Sequence, residues 1–341
     1  MVKVSVVGAS GYIGGELLRL LLGHPEVEVV QTTSDSRAGQ PVWVAHPNLR
    51  DISRLRFTPH ESLETVDAAF VALPHGASAD RIKALTEHAR LVIDLSSDFR
   101  LRDPEDYGRY YGREHPQPGL LGDFVAGIPE LYRDALRSAT RIAVPGCMAN
   151  AAILALHPLS QADLLDGEVV VDARTGSSGS GVVPGAASHH PERSGVMRVY
   201  KPFRHRHEPE ISQVVGVPVR MSATAVGAVR GVQVVAHLTL DRAVEEGDLQ
   251  RLYARVYGNE PFVRVVAQRR GVHHLPEPRV MTGSNFCDVG FARDRDGGHV
   301  VVLGALDNLV KGGAGNAVQS FNIAANFEER TALEFAGLHP V

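Results

Sequence analysis

Cysteine is scarce: Cys147 and Cys287 are the only two in 341 residues. Thiols that few and that far apart make no disulfide framework, which suits a reducing compartment. Long apolar runs are absent as well. None approaches the roughly 20 residues that a membrane-spanning helix requires, so no membrane role is expected. Basic charge is not in excess, with 35 Lys and Arg against 39 Asp and Glu. No basic run suits a phosphate backbone, and nucleic acid is not an expected partner. The opening Met1-Val2-Lys3-Val4 lacks the pattern of a secretory leader, so a cytoplasmic protein is expected. Internal repeats and low-complexity tracts are also missing.

What remains is an ordinary α/β composition, long enough for two domains. Val2 to Val7 reads as a buried parallel strand. Gly8-Ala9-Ser10-Gly11-Tyr12-Ile13-Gly14 follows it and opens a helix that ends near Gly23 and Pro25. Strand, glycine-spaced turn and helix together describe a dinucleotide-binding unit, in which the backbone approaches a pyrophosphate at the helix N-terminus. The Gly-x-x-Gly-x-x-Gly spacing departs from the commoner Gly-x-Gly-x-x-Gly, but its place after the first strand is right. The second strand, Glu26 to Thr33, runs into Ser34-Asp35-Ser36-Arg37. Ser34, Ser36 and Arg37 suit a ribose 2′-phosphate, whereas Asp35 suits a free 2′-hydroxyl. The balance favours NADP over NAD. Further strands are expected at Val66–Leu73, Leu91–Leu95 and Arg141–Val144. His75, at the turn after Leu73, reads either as a solvated loop residue or as a catalytic one.

The last of these strands delivers Pro145-Gly146-Cys147 to the start of an apolar helix. A thiol there stands in the positive end of a helix dipole, which lowers its pKa and favours the nucleophilic thiolate; alternatively Cys147 is a small buried hydrophobe. Further on, Thr175-Gly176-Ser177-Ser178-Gly179-Ser180-Gly181 offers backbone N–H groups and hydroxyls suited to an anion, or serves as a linker. His205-Arg206-His207-Glu208-Pro209-Glu210 leads into another helix. This spacing is not a zinc-helix pattern and no metal is expected. A histidine acting as general acid or base beside Cys147, oriented by Glu210, is the chemical alternative to a solvated loop or a buried structural histidine. Val219–Val226 and Gly231–Thr239 read as strands of an antiparallel sheet with Arg230 at the turn between them. The glycine-rich entry to a last helix, from Gly312 onward, suggests a return to the nucleotide domain.

Four of these motifs occur in the same order in N-acetyl-gamma-glutamyl-phosphate reductases: Gly8 to Gly14, Pro145-Gly146-Cys147, His205 to Ile211, and Asp307-Asn308-Leu309-Val310-Lys311-Gly312. The resemblance covers essentially the whole chain. It implies a Rossmann-type dinucleotide-binding domain at 1–147 and 310–341, and an α+β domain like those of semialdehyde dehydrogenases at 148–309, which carries catalysis and oligomerisation. It also implies NADPH-dependent reduction of an acyl phosphate to an aldehyde, in a homodimer or homotetramer. Cys147 would carry the acyl group as a thioester and His207, rather than His205, would move the proton. Ser177, Ser178, Gly179 and Arg230 would hold the phosphate, with His205 beside the substrate, and Asn308 would lie near the nicotinamide.

One departure bears on the substrate. Arginine-pathway members usually read Pro-Gly-Cys-Tyr-Pro-Thr, but here Cys147 is followed by Met148-Ala149-Asn150. With His189 to Gly195 and Arg198 to Pro202, the chain resembles the lysine-pathway branch, whose 2-aminoadipate 6-phosphate substrate is held on a small acidic carrier protein. Arg193, Arg198, Lys201, Arg204 and Arg206 would suit such a partner, or they form an ordinary solvated basic surface. N-acetyl-glutamyl phosphate is the alternative substrate. A nucleotide sensor without turnover is opposed by the intact Cys147, His207 and Glu210. An NAD-dependent dehydrogenase of the glyceraldehyde-phosphate type is opposed by Ser34, Ser36 and Arg37.

Overall fold

Valine-rich runs buried on both faces build the first sheet. In the computed structural model, which describes residues 1–294 and 298–340, these strands are β1 (Val2–Val7), β2 (Val27–Thr33), β3 (Phe57–Thr58), β4 (Val66–Val71), β5 (Ala89–Asp94), β6 (Val125–Ala126) and β7 (Arg141–Ala143). They pair in the order β3-β2-β1-β4-β5-β7-β6, every pairing parallel. The order reverses between β1 and β4, and such switch points are where open α/β sheets bind ligands, beyond the carboxyl ends of the strands. This sheet belongs to a compact unit of Met1–Pro145 and Gly313–Glu334. The late segment Gly313–Glu334 thus lies with the first sheet. The helix Gly315–Ala324 is buried along almost its whole length, and Phe321 packs its ring 5.3 Å from that of Phe70.

The second unit spans Gly146–Gly312, and the chain from Phe335 onward groups with it; there the Leu338 N–H donates to the Thr282 carbonyl. Its strands are β8 (Leu165–Thr175), β9 (Met197–Lys201), β10 (Val219–Val226), β11 (Val232–Leu240), β12 (Val263–Val265), β13 (Cys287–Arg293) and β14 (His299–Leu306). The order is β12-β13-β14-β11-β8-β10-β9. The sheet is mixed, which corrects the expected pairing of Val219–Val226 with Gly231–Thr239. Those strands, β10 and β11, are not neighbours. β8 runs between them, parallel to β10 and antiparallel to β11. Two parallel neighbours need a crossover connection, and the segment between β8 and β10 supplies one through the helix His207–Val215. β9, on the sheet edge, was not foreseen as a strand because its residues Met197 to Lys201 are all exposed and show no buried alternation.

One face of this sheet packs on the helix Cys147–Gln161, of which eleven residues are buried. A side chain on Gly304 of β14 would meet the Ala151 carbonyl oxygen at 2.4 Å, so close is the approach. Pro158 lies inside the helix and cannot donate to the Leu154 carbonyl. The Tyr257 hydroxyl donates to that oxygen instead, at 2.5 Å, and Tyr253 donates to the next carbonyl, Ala155, at 2.6 Å. Tyr257→Phe is expected to destabilise the protein by about 1–3 kcal/mol, the cost of a buried acceptor left unpaired. Adding Pro158→Ala, which restores a backbone donor, should recover part of the loss in denaturant unfolding; an undiminished loss would mean that Tyr257 acts through packing alone.

Candidate active site

At the end of β1, Gly8 adopts φ +82, and a Cβ there would lie 2.6 Å from the Ala72 carbonyl oxygen. Gly14 packs against Ala9 as closely. Gly11, by contrast, has nothing within 4 Å of its Cβ position. As the N-cap of the helix Tyr12–Leu21 it contributes no side-chain hydrogen bond, so the first-turn N–H groups are left for a ligand. This turn fits a pyrophosphate. Ser10 Oγ lies 2.8 Å from Ser34 Oγ, and Ser34 Oγ 3.4 Å from Ser36 Oγ, which joins Ser10, Ser34 and Ser36 into one hydroxyl chain. Asp35 turns away: its Oδ1 accepts the His60 backbone N–H at 2.7 Å. Among the described residues the Arg37 side chain hydrogen-bonds only Gln40 Oε1, at 3.3 Å. His75, at the carboxyl end of β4, accepts the Ser97 N–H on Nδ1 at 3.2 Å.

In the second unit the helices Cys147–Gln161 and His207–Val215 lie side by side and run the same way. Near one end Ser160 Oγ donates to the Val215 carbonyl; at the other, Gly146 meets His207. Both N-termini, and so both positive dipole ends, converge at the half-buried Cys147. The contact there is specific: a Cβ on Gly146 would stand 2.1 Å from His207 Nε2. Glu210 closes the same corner. Its Oε2 accepts the Gly146 N–H at 2.9 Å, and its Oε1 lies 3.9 Å from His207 Nε2, beyond a hydrogen bond but within ion-pair reach. On the other side Gly312 abuts Cys147; a Cβ there would fall 2.6 Å from the Cys147 Cβ. Asn150 ties the helix to that segment by donating Nδ2 to the Lys311 carbonyl at 3.0 Å.

The two histidines differ in chemistry. The ring of His205 meets that of His207 edge-on at 4.6 Å. Burial, then Arg206 and Lys201, push its pKa down to about 4. His205 Nδ1 accepts the His207 backbone N–H, so at neutral pH its proton sits on Nε2 and the ring is uncharged. Glu208, also buried, accepts the backbone N–H groups of His205 and Met221. Among the described residues no cluster of three or more His, Cys, Asp or Glu side chains stands ready to hold a metal, and no helix is long and apolar enough to cross a membrane.

The glycine-serine turn is different from its sequence reading. The N–H groups of Gly176, Ser177 and Ser178 donate to the carbonyls of Gly231, Ala228 and Val229, and that of Gly179 to Gly176. They are spent on the β10–β11 connection and form no open anion cradle. Ser178 Oγ donates to the Val229 carbonyl and accepts from Asn308 Nδ2, while Asn308 Oδ1 accepts the Gly231 N–H. Arg230 pairs with the fully buried Asp307 at 3.3 Å. These residues come together, but as a knot that bonds itself.

Residues 3–139 match the model for the semialdehyde dehydrogenase NAD binding domain, and residues 147–308 that for the semialdehyde dehydrogenase dimerisation domain. The chain belongs to the semialdehyde dehydrogenase family. Its first unit is accordingly a nicotinamide-dinucleotide-binding domain. Within that family it is 50% identical to a putative [LysW]-L-2-aminoadipate 6-phosphate reductase of Thermomicrobium roseum, over all of both chains. It is 46% identical to the [LysW]-L-2-aminoadipate 6-phosphate reductase of Deinococcus radiodurans, over 99% of this chain and 98% of that one. In fold it is similar to aspartate semialdehyde dehydrogenase II from Vibrio cholerae, with a TM-score of 0.72 at 18% identity over 96% of this chain and 99% of that one.

Sequence reading named Gly146 and Gly312 only as parts of their motifs and Arg193 only as basic surface, and it did not single out Tyr200; the two glycines make room on either side of the thiol. Tyr200 lies 6.3 Å from the His205 ring, and its phenol is pushed up to about 12 by desolvation first and then by the negative charge of Cys147. Gly146→Ala is expected to displace His207, cost about 1–3 kcal/mol of stability as overpacking does, and abolish turnover with either histidine otherwise intact. An active Gly146→Ala enzyme would show that His207 need not stand where it does.

Proposed function

We propose that the protein reduces the 6-phosphate of L-2-aminoadipate, carried on a small acidic protein, to the semialdehyde with NADPH, releasing phosphate in a step of lysine synthesis. The observation that carries this reading is the meeting of Cys147 and His207 at two convergent helix N-termini. The substrate class rests on the names of the full-length relatives.

Cys147, as thiolate, attacks the acyl carbon. The C–O bond to phosphate breaks, and the phosphate leaves with its electron pair and takes up the one proton the reduction consumes. A thioester remains on Sγ, and it accepts hydride more readily than a carboxylate because it is uncharged and has less resonance to lose; covalent capture thus divides one hard step into two. The reduced nicotinamide, when bound, supplies that hydride. His207, as imidazolium beside the Glu210 carboxylate, gives a proton to the oxygen of the tetrahedral adduct. It takes the proton back as the C=O bond reforms, the C–S bond breaks and Cys147 recovers its thiolate. His205, held neutral, donates a hydrogen bond from Nε2 beside the substrate. The turn Gly8–Gly14 holds the pyrophosphate through its N–H groups, and Ser34, Ser36 and Arg37 hold the 2′-phosphate; Asp35, already engaged by His60, leaves the ribose to them.

The exposed Arg198, Lys201 and Arg204, set among the exposed Met197, Val199 and Phe203, suit an acidic carrier. The description of the matched second domain supports a homo-oligomer. Two free cysteines, one of them the working thiol, suit a reducing compartment such as the cytoplasm. Several relatives are named for both carrier-linked aminoadipate and carrier-linked glutamate, which favours dual use as the second reading.

The test runs in reverse. Purified protein, NADP, phosphate and carrier-linked aminoadipate semialdehyde should form NADPH, and Cys147→Ser should lower that rate by about three orders of magnitude or more while NADPH still binds. Turnover with free N-acetyl-glutamate semialdehyde alone would return the enzyme to arginine synthesis, and turnover with the carrier-linked glutamate compound as well would mark dual use. Arg37→Ala should weaken NADPH binding about 10- to 100-fold, as loss of a charged hydrogen bond does, and leave NADH nearly unchanged. Equal weakening of both would remove Arg37 from the 2′-phosphate site.

A further inference from the structure

The anion chemistry of this reaction needs a cation near Cys147, and the residues first expected to hold the phosphate are otherwise engaged. The N–H groups of Ser177, Ser178 and Gly179 are spent on backbone carbonyls, and Arg230 is paired with Asp307. Arg193 presents the opposite case. It stands at the end of the short helix His190–Arg193 and turns inward, so that its Nη2 donates to the Thr175 carbonyl at 3.2 Å, at the foot of the Ser177 turn. Its Nε is enclosed and has no acceptor among the described residues. No acidic side chain pairs with it among the described residues. Behind it the chain bends at Gly195 (φ +66), which packs on Gly227 with 3.0 Å between a Cβ there and the Gly195 nitrogen. On β9, Tyr200 stands 6.3 Å from the His205 ring, which meets the His207 ring at 4.6 Å, and it lies within electrostatic reach of both Cys147 and Arg193.

A guanidinium with one donor anchored on the backbone and another enclosed without a partner is preorganised for a planar or tetrahedral oxyanion. We propose that Arg193 is the side chain that binds the phosphoryl group of the substrate and the phosphate that leaves. This deepens the reading given above and rests on it for the identity of the anion. Arg193 touches no bond that forms or breaks on carbon. Its part is to hold the leaving group while Cys147 displaces it, and to hold inorganic phosphate for attack on the thioester in reverse.

The test separates this assignment from the reaction as a whole. Cys287 is fully buried, so iodoacetamide reports on Cys147, with the modified peptide checked by mass spectrometry. Inorganic phosphate at constant ionic strength should slow alkylation of the wild-type chain in a saturable way. Arg193→Met should need about 10- to 100-fold more phosphate for the same protection, the range expected for a lost charged hydrogen bond, with Arg193→Lys between the two. Where Arg193→Met fails to fold, Arg193→Gln, which keeps a donor and loses the charge, takes its place. In the reverse assay the same variants should raise KM for phosphate and leave KM for NADP unchanged. Protection that is identical in the wild type and the neutral variants overturns the assignment, as does a wild type that phosphate does not protect at all. A raised KM for the semialdehyde with an unchanged KM for phosphate would move Arg193 to the substrate carboxylate and also overturn it. Should the carrier-linked semialdehyde not turn over while Arg193-dependent protection persists, the proposed substrate fails and the anion site stands.

Discussion

His207 Nε2 occupies the volume that any side chain on residue 146 would fill. The rest of the second unit is arranged around that exclusion. Gly146 has to be glycine for steric reasons, although its φ of −65 is open to any residue. Its N–H is held by Glu210, so the same carboxylate fixes the approach to Cys147 and stands within ion-pair reach of the imidazole. Two helices can bring their N-termini together at one thiol only because this corner contains no extra atom. Repulsion between the two dipole ends is offset by the carboxylates of Glu208 and Glu210, both buried in the first turn of the second helix.

The helix that carries Cys147 is unusual in needing help from outside its own backbone. Pro158 removes a donor in its last turns, and the phenols of Tyr253 and Tyr257, from a helix beyond β11, supply donors at the neighbouring carbonyls. The thiol end is anchored differently, by Asn150 on Lys311 and by the bare backbone of Gly312. Stability and reactivity are thus handled at opposite ends of one helix, with Ala, Ile and Leu buried between them.

Polar groups near the site divide by what is left over after they have bonded one another. Asn308, Ser178, Arg230 and Asp307 satisfy each other and hold the end of β14 to the β10–β11 connection. His205 is committed on Nδ1, and burial keeps it uncharged. Arg193 and the hydroxyls joined through Ser10, Ser34 and Ser36 have donor capacity remaining, and residues with spare capacity are those a ligand can use.

Local pattern alone was enough for much of this. Period-two and continuous valine runs marked the strands, the Gly8–Gly14 spacing marked the nucleotide turn, and a thiol after Pro145-Gly146 marked a helix start, because each depends on neighbours a few residues apart. The conformations of Gly8 and Gly11 were legible for the same reason: a positive φ or a bare helix turn is a local property. What depended on partners far along the chain was not. That β8 separates β10 from β11, that the serine-turn N–H groups are spent on residues 228–231, that Arg193 faces inward while Arg198 and Lys201 face out, and that His207 rather than His205 stands against Gly146 are all matters of which segments meet. Sequence by itself determined the fold class and the family, since those are written in short-range spacing and composition. Only the tertiary structure decided which donors and acceptors remain unspent, because a polar group's availability is set by the partner that folding brings to it.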